Sequence, residues 1–415
     1  MANKKGWFKE FIDYRKQRFS SGAIHVTRHH DMSLYNILQP TGLLYGTPVE
    51  KTEGQHSESD EQEKLEFLLA ESLVNSLLVF RENKTKTESE FKDVIDDTPH
   101  LIQSFYSEVF PEYAVSSSSF FGKKKGIFEV CEKIIHNRIY NRPGNGHNFW
   151  THLFYNSLIF LDIYLFTQWI NLKSEKIVTD FFREEKEELR LTVIKIIAGA
   201  AHANDIVELA ERKMFDILLK CAQLSKEREK RAISFLTDGV LMEEIDLPKN
   251  NSWLLKKFFL EMAILMVWAD REIDKNEWKF LQRFSEHLGF FTDDLEKSMI
   301  AIEGFLLSHW EEIELLSENQ NPDSINADYI KKISFLANRN EAKILSQIDE
   351  SEPLQRLITR FVDGDSTNED NIRLRDLLLG ILQNLPSLKS VTLPTSIFTL
   401  PTLFKVLPKS ISAKT

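Results

Sequence analysis

The chain has 415 residues and a formal net charge of −11, from 52 Lys and Arg against 63 Asp and Glu. This acidic balance excludes a general polyanion-binding protein, because neutralising many phosphates needs a surplus of basic residues. Only 15 glycines and 12 prolines are present, and no long stretch alternates polar and apolar residues as a sheet would require. We therefore expect an all-α fold, a multi-helix bundle with a core large enough to need neither disulfides nor metals.

The N-terminal segment is basic and amphipathic, and it lacks the continuous apolar core and cleavage site of a signal peptide. A helix here would lie either on the anionic inner surface of a membrane or on the protein's own core. With only two cysteines and no zinc-type spacing of Cys and His, we expect a cytoplasmic protein, with peripheral membrane attachment as the alternative. The apolar residues of the segment are Trp7, Phe8, Phe11, Ile12 and Tyr14.

The first half of the chain divides into two predicted helical regions. The N-terminal region covers 1–120 and contains a polar, acidic linker at 50–63, and a second region covers 127–183. The second region includes a long apolar helix at 149–170, close to the length of a membrane span. Because Asp162 lies near its middle, where a carboxylate in lipid is costly, the pattern favours a buried helix over a span.

An internal repeat of about 66 residues follows in the centre of the chain. Its copies cover 186–246 and 252–316. The sequence of each copy predicts an apolar helix, a short acidic turn, an amphipathic helix and a third helix. The third helix is expected to begin at a cap, which is Ser225 in the first copy and Thr292 in the second. The residues that match between the copies are Ala203 with Ala269, Asn204 with Asp270, Val207 with Ile273, Glu208 with Asp274, and Glu211 with Glu277.

The turn pattern of these repeats, Ala-Asp-x-x-Ile-Asp-x-x-Glu in the second copy, resembles the TerB-type tellurite-resistance domain. That domain is related to the N-terminal domain of some DnaJ-like membrane co-chaperones. The first copy departs from the pattern, with Asn204 at the first Asp position. The resemblance implies a helical bundle with an acidic, cation-binding face.

The acidic turn of the second repeat is a candidate site for a divalent metal. Asp270, Asp274 and Glu277 would supply oxygen ligands, but Met266 and Trp268 stand where an EF-hand loop needs two more. The alternative is structural: Asp274 caps the following helix, and Glu277 completes a capping box with it. We favour the structural interpretation and expect no cofactor, with weak binding of a divalent cation as the alternative.

The C-terminal segment at 325–415 ends in a series of Leu-Pro steps, which separate short helices. The series resembles the end of the LETM-type ribosome-binding domain. Together with the TerB-like repeats, it resembles the bacterial LETM-related biofilm-associated proteins. We expect the series either to contact a partner or to pack as an apolar strap on the bundle. The residues that carry the resemblance are Pro394, Leu400, Pro401, Leu403, Lys405, Leu407 and Pro408.

No catalytic signature is recognisable: the chain has no nucleophile elbow, no dinucleotide-binding glycine loop and no kinase motif. We therefore predict a non-enzymatic helical scaffold or interaction protein, for which the resemblance implies a role in biofilm or envelope stress. The expected partners are proteins, and the ribosome and the inner membrane surface are further candidates. We do not expect sequence-specific binding to DNA. The alternative functions are cation sensing and ribosome association.

Overall fold

The computed structural model describes residues 5–19, 30–39, 42, 44, 61–116, 125–140, 149–172, 179–203, 207–245, 252–268, 273–310, 322–388, 391 and 393–409. Over these residues the chain is helical and contains no strand, which confirms the predicted all-α fold. The chain forms two compact units, Met1–Met266 and Val267–Thr415. The boundary between them falls inside the segment predicted as the second repeat.

The first unit is organised around two central helices. Its helices are α1 (Trp7–Gln17), α2 (His30–Leu38), α3 (Glu61–Phe80), α4 (Glu88–Val109), α5 (Ile127–Tyr140), α6 (Phe149–Ser157), α7 (Ile159–Leu172), α8 (Thr179–Ala201), α9 (Leu209–Ala222), α10 (Lys226–Asp238) and α11 (Trp253–Val267). The central helices are α3 and α7, which lie side by side. Helices α2, α4 and α5 pack on α3, whereas α8 packs on α4, α7, α9 and α10.

The basic amphipathic helix α1 docks on the protein's own core. Its apolar residues Trp7, Phe8 and Phe11 are buried, and the helix packs on α4 and α5. The Glu132 carboxylate on α5 accepts a hydrogen bond of 2.9 Å from the backbone N–H of Gly6, at the start of the helix. A carboxylate is favourable there because the first N–H groups of a helix lack partners within it. Of the two interpretations of this segment, core docking is the one that the structure shows.

The long apolar segment forms two helices where a single one was predicted. Helices α6 and α7 are separated at Leu158, whose N–H bonds to the Phe154 carbonyl while its own carbonyl accepts from Leu161, a tighter turn than the α-helix. By length and composition the segment Phe149–Leu172 could cross a membrane. However, 89% of its most apolar stretch of 18 residues is buried inside the protein. The segment therefore serves as core in this structure.

A buried ion pair explains how a carboxylate is accommodated in that core. The Arg138 guanidinium on α5 donates two hydrogen bonds to Asp162 on α7, from Nε at 2.5 Å and from Nη2 at 3.0 Å. The Tyr106 hydroxyl donates a third, at 3.2 Å. Burial, together with the Asp162 carboxylate, raises the pKa of Tyr106, so the phenol keeps its proton. The rings of Tyr113 and Tyr155 each lie 5.3 Å from the guanidinium carbon.

The second unit is a smaller bundle crossed by the C-terminal segment. Its helices are α12 (Lys275–His287), α13 (Thr292–Ser308), α14 (Pro322–Arg339), α15 (Glu341–Asp349), α16 (Glu352–Val362), α17 (Asn368–Gln383) and α18 (Leu400–Val406). Helix α13 packs on α12 and α14, and α18 lies on α14 and α17.

The buried pair predicts a large loss of stability when one partner is removed. Asp162→Asn leaves the Arg138 charge buried without a counter-ion, so the free energy of unfolding should fall by about 3–5 kcal/mol. The double variant Arg138→Met with Asp162→Leu should recover much of this loss, because it removes both charges. Urea denaturation followed by circular dichroism measures the difference.

The matched control is Lys92→Ala, which breaks the solvent-exposed pair of Lys92 with Glu88 on α4. This variant should change the free energy of unfolding by less than about 0.5 kcal/mol. An Asp162→Asn variant as stable as the control would contradict the structural role given to the buried pair.

Candidate functional site

The two repeat turns carry the same hydrogen bond at matching positions. At the start of α12 the Glu277 carboxylate accepts the backbone N–H of Asp274 at 2.7 Å. At the start of α9 the Glu211 carboxylate accepts the backbone N–H of Glu208 at 2.8 Å. Both Glu211 and Glu277 are buried. The sequence match between the copies therefore extends to a shared local structure at the turn.

The acidic residues of the second turn that the structure describes act as a helix cap. The Asp274 carboxylate accepts the N–H groups of Asn276 and Glu277, the latter at 2.9 Å, and so completes a capping box. Asp270, the third residue of the candidate metal site, lies outside the described residues. The structural alternative is confirmed for Asp274 and Glu277, whereas metal binding by the set of three stays a prediction.

The residues predicted to cap the third helix of each repeat are Ser225 and Thr292. Ser225 occupies the N-cap position of α10, but its side chain makes no capping hydrogen bond to the helix. Thr292 is not a cap: α13 begins at Thr292 itself, and Phe291 is the N-cap residue. The Asp294 carboxylate accepts the backbone N–H of Phe291 at 3.3 Å, as the acidic residue of a capping box does for the residue before the helix.

The Leu-Pro segment packs as a strap on the second unit. Most of the residues singled out in it are buried, whereas Pro401 and Lys405 are exposed. Phe404 stacks on Phe361 of α16, with ring centroids 5.2 Å apart. A partner role through Pro401 and Lys405 remains a prediction. The buried members of the set are Pro394, Leu400, Leu403, Leu407 and Pro408.

The strap meets α13 and α14 at Gly304. A Cβ atom at this position would overlap the Tyr329 hydroxyl oxygen and would lie 3.2 Å from Cδ of Pro394, so only glycine permits the approach. Tyr329 is fully buried, and its hydroxyl has no hydrogen-bond partner among the described residues. Burial raises the pKa of Tyr329, so the phenol stays neutral.

The same contact sets the register between α13 and α14. Next to Gly304, the buried Glu303 carboxylate accepts two hydrogen bonds from Lys332 Nζ, at 2.8 and 3.0 Å. Burial raises the pKa of Glu303, and Lys332 opposes that shift. Because Tyr329 lies beside Gly304 and the helices pack antiparallel, the end of α14 lies beside the start of α13.

A groove of about 280 Å³ opens in the second unit where the start of α13 meets the end of α14. Its apolar lining comes from Ile300, Leu336 and Pro386. Charged side chains of both signs form the remainder, together with Asn340 and Ser387. The full lining is Asp293, Glu296, Lys297, Ile300, Leu336, Arg339, Asn340, Pro386 and Ser387.

Two exposed phenylalanines lie close in sequence to residues of the groove lining, and one of them contacts a lining residue. Phe335 precedes Leu336 and is 62% exposed, and the Arg339 guanidinium lies 5.7 Å from its ring centroid. Phe291 is two residues from Asp293 and is 81% exposed. Sequence reasoning missed this site, because its residues come from three separate segments. The only local signal is a phenylalanine on the polar face of an amphipathic helix.

The chain is similar to the co-chaperone protein DjlA of Vibrio cholerae, with 23% identity over 124 residues. The match covers 28% of this chain and 44% of the relative, so the chain spans less than half the length of the curated relative that it matches. No family model matches the chain, and no solved structure matches it at significant similarity. The distant similarity supports a helical, TerB-like relationship, and the comparisons support neither the LETM nor the biofilm resemblance.

The close approach at Gly304 predicts a steric penalty for the smallest side chain. Gly304→Ala should lower the free energy of unfolding of the second unit by about 1–3 kcal/mol, because the new methyl group meets Tyr329 and Pro394. Adding Tyr329→Phe should restore part of the loss, since it removes the nearest atom. Urea denaturation measures both effects.

Gly380→Ala is the matched control in the same unit. This glycine lies inside α17, and a Cβ atom there would have no neighbour within 4 Å. The change should raise the free energy of unfolding by about 0.5–1 kcal/mol, as expected for Gly to Ala in a helix. Equal effects of the two substitutions would contradict the packing described at Gly304.

Proposed function

We propose that the protein is a non-enzymatic, all-helical interaction protein whose second unit binds protein partners at the groove between α13 and α14. The observation that carries this proposal is the exposed ring of Phe335 beside Arg339, a residue of the groove lining, together with the exposed Phe291 just before α13. Large aromatic side chains that remain in water are costly, and they are typical anchors at protein interfaces.

The distant similarity to a co-chaperone supports binding of proteins as the general activity. In this proposal the chain needs neither a catalytic group nor a resident cofactor, and it acts in the cytoplasm. No observation favours cation sensing over this function, because Asp274 and Glu277 are both engaged in the cap of α12. Three further roles stay predictions about the partner's identity. They are a role in biofilm or envelope stress, ribosome contact through the exposed Pro401 and Lys405, and attachment to the inner membrane surface.

The proposal predicts that the two phenylalanines are required for partner binding. In affinity capture from the native cell with quantitative mass spectrometry, Phe291→Ser with Phe335→Ser should reduce recovery of a defined set of proteins about tenfold. This magnitude is that of losing a typical aromatic anchor. Circular dichroism should show an unchanged helix content, because both side chains are exposed.

The matched control is Phe181→Ser in the first unit, where the phenylalanine is 49% exposed and lies far in sequence from the groove. This variant should retain the full partner set. Equal recovery of all proteins by the double variant and the control would contradict the proposed function.

A further inference from the structure

In the first unit a buried carboxylate is bonded to a solvent-exposed imidazole. The side chain of Glu66 on α3 is 3% exposed, whereas that of His136 on α5 is 55% exposed. The His136 Nδ1 atom lies 2.8 Å from the Glu66 Oε1 atom. The pair therefore joins two helices that pack together, and its imidazole can exchange protons directly with water.

The imidazole supplies the positive charge that the described residues place against Glu66. No Lys or Arg side chain among them lies within 4.0 Å of this carboxylate. The His136 ring also stacks on Tyr140, one turn further along α5, with ring centroids 4.1 Å apart. Of the ionisable side chains, histidine is the one that ordinarily changes its charge near neutral pH. The counter-ion of this buried carboxylate is thus sensitive to pH.

The charged groups nearest to the pair are further carboxylates. Glu63 lies one turn before Glu66 on α3, and Glu132 lies one turn before His136 on α5. Glu63 is buried, and Glu132 accepts the backbone N–H of Gly6 at the start of α1. Both oppose the ionisation of Glu66, because like charges repel strongly where water is scarce. A negative charge on Glu66 is therefore costly once His136 has lost its proton.

The ion pairs of the other helices packed against α3 and α5 include neither Glu66 nor His136. On α2, His30 lies against Phe80 at the opposite end of α3, and Asp31 bonds to the start of α11. Charge at the pair is therefore set by the pair itself and its two neighbouring carboxylates. The ion pairs that engage α1, α4 and α7 are Lys9 with Asp13, Arg15 with Glu71, Lys16 with Asp96, Arg81 with Asp97, Lys92 with Glu88, and Arg138 with Asp162.

We propose that Glu66 and His136 form a pH-sensitive contact between α3 and α5, which weakens as the pH rises through neutrality and so loosens the first unit. With one proton between them, the two groups form either an ion pair or a neutral hydrogen bond. When that proton is lost, a buried carboxylate faces a neutral imidazole and two further carboxylates. This inference does not depend on the groove in the second unit.

The direction of the pH effect follows from the Glu66 carboxyl group. Burial raises its pKa from the ordinary 4.5 to about 7, with His136 opposing the rise and the neighbouring carboxylates adding to it. The folded protein therefore holds a proton here that the unfolded chain has already released. That proton stabilises the folded state below pH 7, and the stabilisation is lost as the pH rises through about 7.

The test compares the full-length protein with Glu66→Gln, which keeps the shape of the side chain but cannot ionise. Urea denaturation followed by circular dichroism gives the unfolding equilibrium constant at pH 6 and pH 8. Between these values the constant should rise about three- to tenfold more in the wild-type protein than in the variant. The matched control is His100→Gln on α4, which replaces an exposed histidine and should keep the wild-type pH dependence.

A second variant, His136→Gln, tests the partner. It removes the group that opposes the rise in the pKa of Glu66, so the pH at which stability is lost should move upward. Hydrogen exchange with mass spectrometry, with the proteins compared at equal pH, locates the effect. At pH 8, peptides from α3 and α5 should be better protected in Glu66→Gln than in the wild-type protein, whereas peptides from α17 should be equally protected in both.

The same pH dependence in Glu66→Gln and in the wild-type protein would overturn the inference. A gain of protection in α17 as large as that in α3 and α5 would also overturn it, because the effect would then not arise at this contact. Loss of the pH dependence in His100→Gln would do the same, since it would place the responsible proton on α4.

Discussion

The close approach of α13, α14 and the Leu-Pro strap at Gly304 is the constraint on which the second unit depends. Because this residue has no side chain, Tyr329 and Pro394 pack directly against the helix backbone. This contact aligns the two helices, so that Glu303 meets Lys332 and the end of α14 lies beside the start of α13. The groove is a consequence of that alignment. The turn after α17 contributes Pro386 and Ser387 to its lining.

Each unit pairs a buried carboxylate with a basic side chain, Asp162 with Arg138 in the first unit and Glu303 with Lys332 in the second. In the first unit Arg138 and Asp162 are fully buried and paired, with Tyr106 as a further donor, so their charges are committed to the fold. Such a pair contributes little net stability compared with apolar packing, but removing one partner is costly. In the second unit the four charged residues of the groove lining have no ion-pair partner within 4.0 Å among the described residues, and they line the groove together with Ile300, Leu336 and Pro386. These charges are therefore not committed to the fold.

The features that could be predicted from the sequence are those encoded locally. The all-α fold follows from composition and helical periodicity, and the cap formed by Asp274 and Glu277 follows from their spacing alone. The pairing of Asp162 with Arg138 joins two different helices, so spacing does not reveal it. The apolar Leu403 of the strap fits a core or an interface equally well by sequence. The groove depends on the tertiary register between α13 and α14, which no local pattern contains.

Site-specific crosslinking at Phe335 tests the central claim, that the second unit binds proteins at the groove, most directly. A photoreactive benzoylphenylalanine placed at this position in the native cell should form covalent adducts with a small number of discrete proteins after irradiation. The same group placed at Ile372, an exposed apolar residue of α17 outside the groove lining, should form few. Equal adducts at both positions, or none at Phe335, would contradict the account.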